Sequence, residues 1–367
     1  MTKTKAYSAA KIFTGDAWLH DNVVLVEQSM ITAVVPSGSL LPGIVVQHFP
    51  DAILAPAFID LQIYGAYGKL LAVYPEADSL FKLNEYCRSG GAAYCLPTIA
   101  TNGYEVFYQS IDAIKDYWAK DGEGVLGLHI EGPWIHPAKR GAHIESLIHS
   151  PSLQQAKDLL EYGKGVIKMI TLAPEVCSQH VIDLILTYGI IISAGHSNAS
   201  YTEAMNSFTK GINTVTHLYN AMSPLQHRAP GLAGAAMDSK KVMASIIPDG
   251  HHVDYAAIRI AKEVMKERLY IITDAVTETT IGHSPHRLDG DKYVSNNILS
   301  GSALTMNKAV QNLVDHTVTD LGEALRMCSL YPAKVMGMDK ELGKIEKGYK
   351  AKMVLLNERN DVVQLIS

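Results

Sequence analysis

Glu131, His196, His217 and Asp274 carry the side-chain types that bind a divalent metal and move protons, and each stands at or just past a short apolar run. Val125–Ile130 leads into His129-Ile130-Glu131-Gly132-Pro133-Trp134, and Gly189–Ala194 into Gly195-His196-Ser197. Thr214–His217 continues as Leu218-Tyr219-Asn220. Val242–Ile247 leads to Pro248-Asp249-Gly250-His251-His252, and Leu269–Thr273 to Asp274-Ala275. A lone histidine at such a place is more often a hydrogen-bonded core residue than a ligand, and a lone aspartate often caps the next helix. Polar residues at five exits call for a shared explanation.

Two imidazoles and one carboxylate, from His196, His217 and Glu131, make a three-ligand set for Zn²⁺ or a similar ion and leave a position open for water. Such an ion lowers the pKa of its water and polarises an acyl oxygen. Asp274 then suits general base toward the water and general acid toward the leaving group.

Elements able to converge these groups are legible along the chain. Eight runs read as strands: Ile53–Leu61, Ala92–Ile99, Val125–Ile130, Ile167–Leu172, Gly189–Ala194, Thr214–His217, Val242–Ile247 and Leu269–Thr273. Their hydrophobicity is continuous rather than alternating, the mark of parallel strands covered on both faces. Helix candidates lie between them, among them Ser79–Arg88, Tyr104–Ala119, Ser152–Glu161 and Tyr255–Lys266. Eight β-then-α units predict an α/β fold, a (β/α)8 TIM-like barrel, whose chemistry sits on the loops at the strands' C-terminal ends. Helices are expected again at Asn307–Val318 and Leu321–Met336, with Asp320 and Glu323 spaced for a capping box.

The first fifty residues read instead as short extended pieces (Ala10–Phe13, Asn22–Glu27, Met30–Val35, Gly43–Phe49), and Gly343–Leu356 looks alike. This predicts a small β-sandwich domain formed from both chain ends, 1–52 with 343–367, beside a barrel over 53–342.

Composition narrows the class. Of 367 residues, 47% are hydrophobic and the formal net charge is -5, so no basic surplus points to nucleic acid or an anionic membrane. Apolar runs stop well short of the ~20 residues a membrane span needs. Met1–Ala10 lacks a cationic head and apolar core, so no secretion signal is expected and the location expected is cytoplasmic. Cys87, Cys95, Cys177 and Cys328 have no paired spacing and read as reduced thiols.

These motifs, in this order, resemble the amidohydrolase superfamily, and within it the N-acetylglucosamine-6-phosphate deacetylases. The matching stretches include His129–Trp134, Gly195-His196-Ser197, Thr216–Met222, Arg228–Gly231, Asp249–Val253, Thr273-Asp274-Ala275 and Leu299–Met306. The resemblance implies hydrolysis of the acetamide of a phosphorylated N-acetyl amino sugar, giving acetate and the free amine. It implies one divalent ion per subunit, Zn²⁺ with Fe²⁺, Mn²⁺ or Co²⁺ also acceptable, held by Glu131, His196 and His217. Asp274 matches the catalytic acid/base, and His143 a histidine that polarises the acetyl carbonyl. Ala142, Asn220, Ala221, Asp249, Gly250, His251, His252, Leu299, Ser300 and Gly301 match substrate-binding positions. Arg228 matches an arginine that grips the sugar phosphate, in the family often across a dimer interface, so a homodimer is implied. A guanidinium suits that task because it meets phosphate with two parallel hydrogen bonds.

One departure stands out. Many relatives carry His-x-His on strand one for a second metal, where this chain has Gln62-Ile63-Tyr64, and a mononuclear site is expected. Tyr64 could close off that position, touch substrate or merely pack, and Asp60 could face the barrel interior or pair with a neighbouring strand. Lys352 also stands where relatives usually have an acidic residue. Base deamination and cyclic-amide opening are weaker alternatives, because those enzymes usually keep the strand-one histidines. The galactosamine epimer fits the motifs equally well. A non-catalytic sugar-phosphate-binding barrel fits them poorly, since it has no use for Asp274.

Overall fold

A computed structural model describes residues 4–282, 285–295 and 298–366. Eight strands form one sheet in sequence order: β1 (Phe58–Ile63), β2 (Ala92–Ala100), β3 (Leu128–Glu131), β4 (Ile167–Leu172), β5 (Ile191–Ala194), β6 (Thr214–Val215), β7 (Met243–Ile246) and β8 (Leu269–Ile271). Neighbours from β2 to β8 pair in parallel, as βαβ connections require. The ring closes just past β8. Ile63 bridges Ala275 in parallel, Tyr64 N donates to Ala275 O at 2.9 Å, and Asp274 N donates to Gln62 O at 3.0 Å. Every residue of β1, β3 and β8 is buried, which accounts for their unbroken apolar look in sequence. The expected TIM-like barrel is borne out.

A second, seven-stranded sheet comes from both chain ends. Its path runs Val362–Ile366, Met353–Leu356, Val46–Pro56, Lys5–Phe13, Asn22–Glu27 and Met30–Pro36, and Trp18–Leu19 pairs with Lys5–Phe13. Tyr7, Ile12, Val24, Ile31, Leu54, Met353 and Leu355 gather in one apolar cluster on this sheet. The chain divides into two compact units, Met1–Asp60 with Cys87–Tyr94 and Thr305–Ser367, and Leu61–Tyr86 with Cys95–Leu304.

Most helices match their sequence signals. Tyr104–Ala119 is helical over the expected span, and Leu153–Tyr162 starts on Ser152, which forms a reciprocal capping box with Gln155. The stretch expected as Leu321–Met336 is two helices, Leu321–Cys328 and Leu330–Val335, because Ser329 takes φ -127° and ψ -70°. Asp320 caps the first through Glu323 N, while the Glu323 carboxylate receives Arg326 Nε at 2.7 Å and Tyr331 Oη at 2.9 Å. Past β8 a three-stranded flap follows, Arg287–Asp289, Lys292–Ser295 and Ile298–Ser302. None of the four cysteines is in a disulfide, and three of them are buried. Among the described residues no helix is long and apolar enough to cross a membrane.

Candidate active site

The chain turns sharply where the strands end. His196 and His217, just past β5 and β6, take φ of 47° and 31°, and Asp274, past β8, takes 53°. L-residues reach this left-handed region at a cost of about 1–2 kcal/mol each, so it persists only where neighbours fix the backbone. They do so here. His217 N donates to Ser245 Oγ at 2.8 Å, and Asp274 O accepts from Ser302 N at 3.0 Å.

The side chains so aimed converge. Glu131 Oε1 lies 3.1 Å from His217 Nε2 and 3.3 Å from His196 Nε2, and the two Nε2 atoms are 3.1 Å apart. His143 Nε2 sits 3.2 Å from the other carboxylate oxygen, Glu131 Oε2. Glu131, His143 and His196 place one ligand-type atom each within 4.8 Å of one another, so proximity alone does not say which histidines bind metal.

Hydrogen bonding on the far side of each ring separates their roles. His196 Nδ1 faces Lys139 O at 2.9 Å, a pure acceptor, so Nδ1 carries the proton and Nε2 offers a lone pair to the site. His143 is reversed. Its Nδ1 receives the Thr101 backbone N–H at 3.3 Å and lies 2.7 Å from Thr101 Oγ1, so the neutral ring holds its proton on Nε2. Burial lowers the His143 pKa to about 4, which keeps that ring neutral. His143 therefore presents an N–H, and His196 a ligand nitrogen. With Glu131 and His217, whose Nδ1 is buried without a partner among the described residues, the donor set fits a divalent ion.

Burial alone raises Glu131, but the surrounding cluster of His196, His143 and His217 outweighs it and holds the carboxyl well below the usual range. Burial works against a charged His217, yet Glu131 reverses the balance and its pKa is raised. Asp274 is raised, by burial first and the Glu131 charge beside it, the direction expected of a group that must hold as well as release a proton. Burial, with the nearby charges of Asp274 and Glu131, pushes Tyr64 far up and keeps it a hydroxyl donor.

Around this cluster opens a cavity of about 460 Å³. Tyr64, Glu131, His143, His196, His217 and Asp274 line it, as do Ala142, Asn220, Ala221, His252, Leu299, Ser300 and Gly301. Arg228, Asp249, Gly250 and His251 are not on its wall. The Asp249 carboxylate turns inward, accepting from His251 N at 2.9 Å and His252 N at 2.8 Å and meeting His252 Nδ1 at 2.5 Å. It fixes the loop that brings His252 to the cavity. Arg228 is exposed on the loop before the helix Gly231–Asp238.

Sequence reading passed over Thr101 and His286. Thr101 follows β2 directly, so the strand-exit rule that marks the other site residues reaches it too. It also explains Gly132, at φ 76°, where a Cβ would fall 2.2 Å from Thr101 Oγ1. His286, on the cavity wall, lies 2.9 Å through Nδ1 from Ser300 Oγ. Asp60 and His129 are buried, and His129 bonds Leu61 O and Thr171 Oγ1 as a core histidine does.

The chain is similar to N-acetylglucosamine-6-phosphate deacetylase of Haemophilus influenzae, 33% identical over 363 residues covering 96% of this chain and 95% of the relative. It is 29% identical over 374 residues to N-acetylgalactosamine-6-phosphate deacetylase of Escherichia coli O157:H7, covering 99% and 97%. The crystal structure of N-acetylglucosamine-6-phosphate deacetylase from Pasteurella multocida superposes with TM-score 0.94 at 33% identity, over 99% of this chain and 98% of that one. The model of the amidohydrolase family matches residues 53–366, and this chain belongs to that family.

Proposed function

We propose that the protein hydrolyses the acetamide of N-acetylglucosamine 6-phosphate to glucosamine 6-phosphate and acetate, with Glu131, His196 and His217 holding one divalent ion, Zn²⁺ ahead of Fe²⁺, Mn²⁺ or Co²⁺, all of which such donors accept. A bound ion there supplies Lewis acidity and makes water a nucleophile near neutral pH. The chain's own residues do the rest. His143 directs its Nε2–H at the acyl oxygen, where negative charge develops during attack. Asp274 takes a proton from the attacking water and passes it to the departing nitrogen. The backbone around Leu299, Ser300 and Gly301, with Asn220, Ala221 and His252, orients the sugar.

The observation that carries this reading is the opposed tautomers of His143 and His196 on one carboxylate, a hydrogen-bond donor beside a ligand nitrogen. Among the described residues no lysine or arginine lines the cavity. We therefore assign the phosphate to His252 and to Arg228 supplied by a second copy of the chain in a homodimer. The E. coli relative's name favours a second reading, the galactosamine epimer. Acetate release measured on both phosphorylated epimers and on unphosphorylated N-acetylglucosamine, with metal quantified per chain, tests all of this. Turnover on neither phosphorylated sugar overturns the proposal.

A further inference from the structure

Gln62 and Tyr64 occupy the space between Glu131 and Asp274. The Gln62 amide nitrogen lies 2.9 Å from Glu131 Oε1, 2.8 Å from Asp274 Oδ1 and 2.7 Å from Tyr64 Oη. Its orientation is not free. Thr216 Oγ1 donates to Gln62 Oε1 at 2.9 Å, so the carbonyl end is held away and the NH₂ end faces the carboxylates. Tyr64 Oη donates to Glu131 Oε2 at 2.5 Å and lies 3.3 Å from Asp274 Oδ1. Gln62 is 1% exposed, so none of these bonds competes with bulk water.

Two buried carboxylates side by side repel and, left alone, move apart or share a proton. An uncharged amide with two hydrogens answers both at once. One N–H goes to each carboxylate, and the length of the amide group sets their separation. The phenol adds a donor to the oxygen of Glu131 that faces away from His196 and His217.

We propose that Gln62 and Tyr64 form a two-residue clamp that fixes Glu131 and Asp274 in mutual register, both acting as positioning residues. Gln62 sets where the Asp274 carboxylate meets the scissile amide. Tyr64 holds Glu131 Oε2, so that Oε1, which also receives the Gln62 N–H, is kept facing His196 and His217 where the ion would sit. The inference rests on the metal-hydrolase reading above.

Two variants on the metal-loaded protein test it, with melting temperature as the folding control. Gln62→Leu removes both donors at similar volume. It is expected to lower kcat at least 100-fold with KM within about threefold, since outer partners of a metal centre typically contribute 10–100-fold and this one holds two groups. Tyr64→Phe keeps the ring. It is expected to weaken metal affinity about 10–100-fold in competition with a chelating indicator, a readout independent of turnover. Should the parent protein deacetylate none of the sugars, the metal affinities still judge the clamp while the functional reading fails by itself. Folded Gln62→Leu with kcat within threefold of parent, or Tyr64→Phe with unaltered metal affinity, overturns the proposal.

Discussion

Thr101 donates its backbone N–H to His143 Nδ1 at 3.3 Å, and this bond places the imidazole proton on the face toward Glu131. A ring so held cannot offer a lone pair to a metal there without reversing both Thr101 contacts. Two histidines of similar burial thereby present different ring nitrogens to the cavity, for reasons lying outside it.

His143→Gln should accordingly lower kcat by about 10²–10³-fold, the usual effect of removing one donor to a developing oxyanion, and leave metal content unchanged. His196→Gln should strip the metal. Elemental analysis of the two purified variants side by side checks the distinction, and metal loss in the His143 variant reverses its assignment.

Asp274→Asn keeps shape and removes the proton acceptor. A kcat decrease of about 10²–10⁴-fold is expected, with metal still bound and product affinity little altered. Single-turnover kinetics and equilibrium binding of glucosamine 6-phosphate measure the two halves.

Arg228→Ala should raise KM for the phosphorylated sugar by about 10–100-fold, equivalent to one charge-assisted hydrogen-bonded contact of 1.5–3 kcal/mol. The unphosphorylated sugar should be processed as before. Equal effects on both sugars would show that Arg228 does not meet the phosphate.

Asp249 predicts a stability effect with a definite pH sign. Burial alone would raise its carboxyl, but His252 and two backbone N–H groups hold it below the ordinary 3.8. A lowered carboxyl stabilises fully above its unfolded value and loses that contribution as pH falls through the folded value. Asp249→Asn should therefore destabilise the fold by about 1.5–3 kcal/mol near neutrality, and the gap should close below about pH 3.8. Urea melts across that range give the answer.

Metal removal offers a test free of substrate. A ligand at a hundredfold excess over its Kd stabilises the state that binds it by about 2.7 kcal/mol. Chelation should lower the melting temperature of the parent, and of the His143 variant equally, but should leave the His196 variant unchanged.

Much of this architecture was legible because each barrel strand is covered on both faces and looks continuously apolar. The same property hid a boundary. Ile53–Leu61 reads as one run, yet its first residues end the strand Val46–Pro56 of the terminal sheet and its last belong to β1, with Ala57 between. Hydrophobic periodicity does not register that change, since Ala55 and Phe58 are equally buried. Strand six is shorter than expected, Thr214–Val215, because the backbone must turn before His217. The metal-type residues declared themselves by their positions at strand ends. Gln62 and Tyr64 stood out only as replacements for the family's histidines, and their bonding was hidden because their partners lie as far as 212 and 210 residues away in the chain.

The left-handed backbone at His196, His217 and Asp274 places function and folding in opposition. Glycine would relieve about 1 kcal/mol at each position, so a barrel selected only for thermal robustness would drift toward glycine there. Laboratory evolution for heat tolerance, run without an activity screen, should erode the site from its main chain. Imposing turnover alongside stability should leave these positions fixed and push compensating changes elsewhere in the molecule.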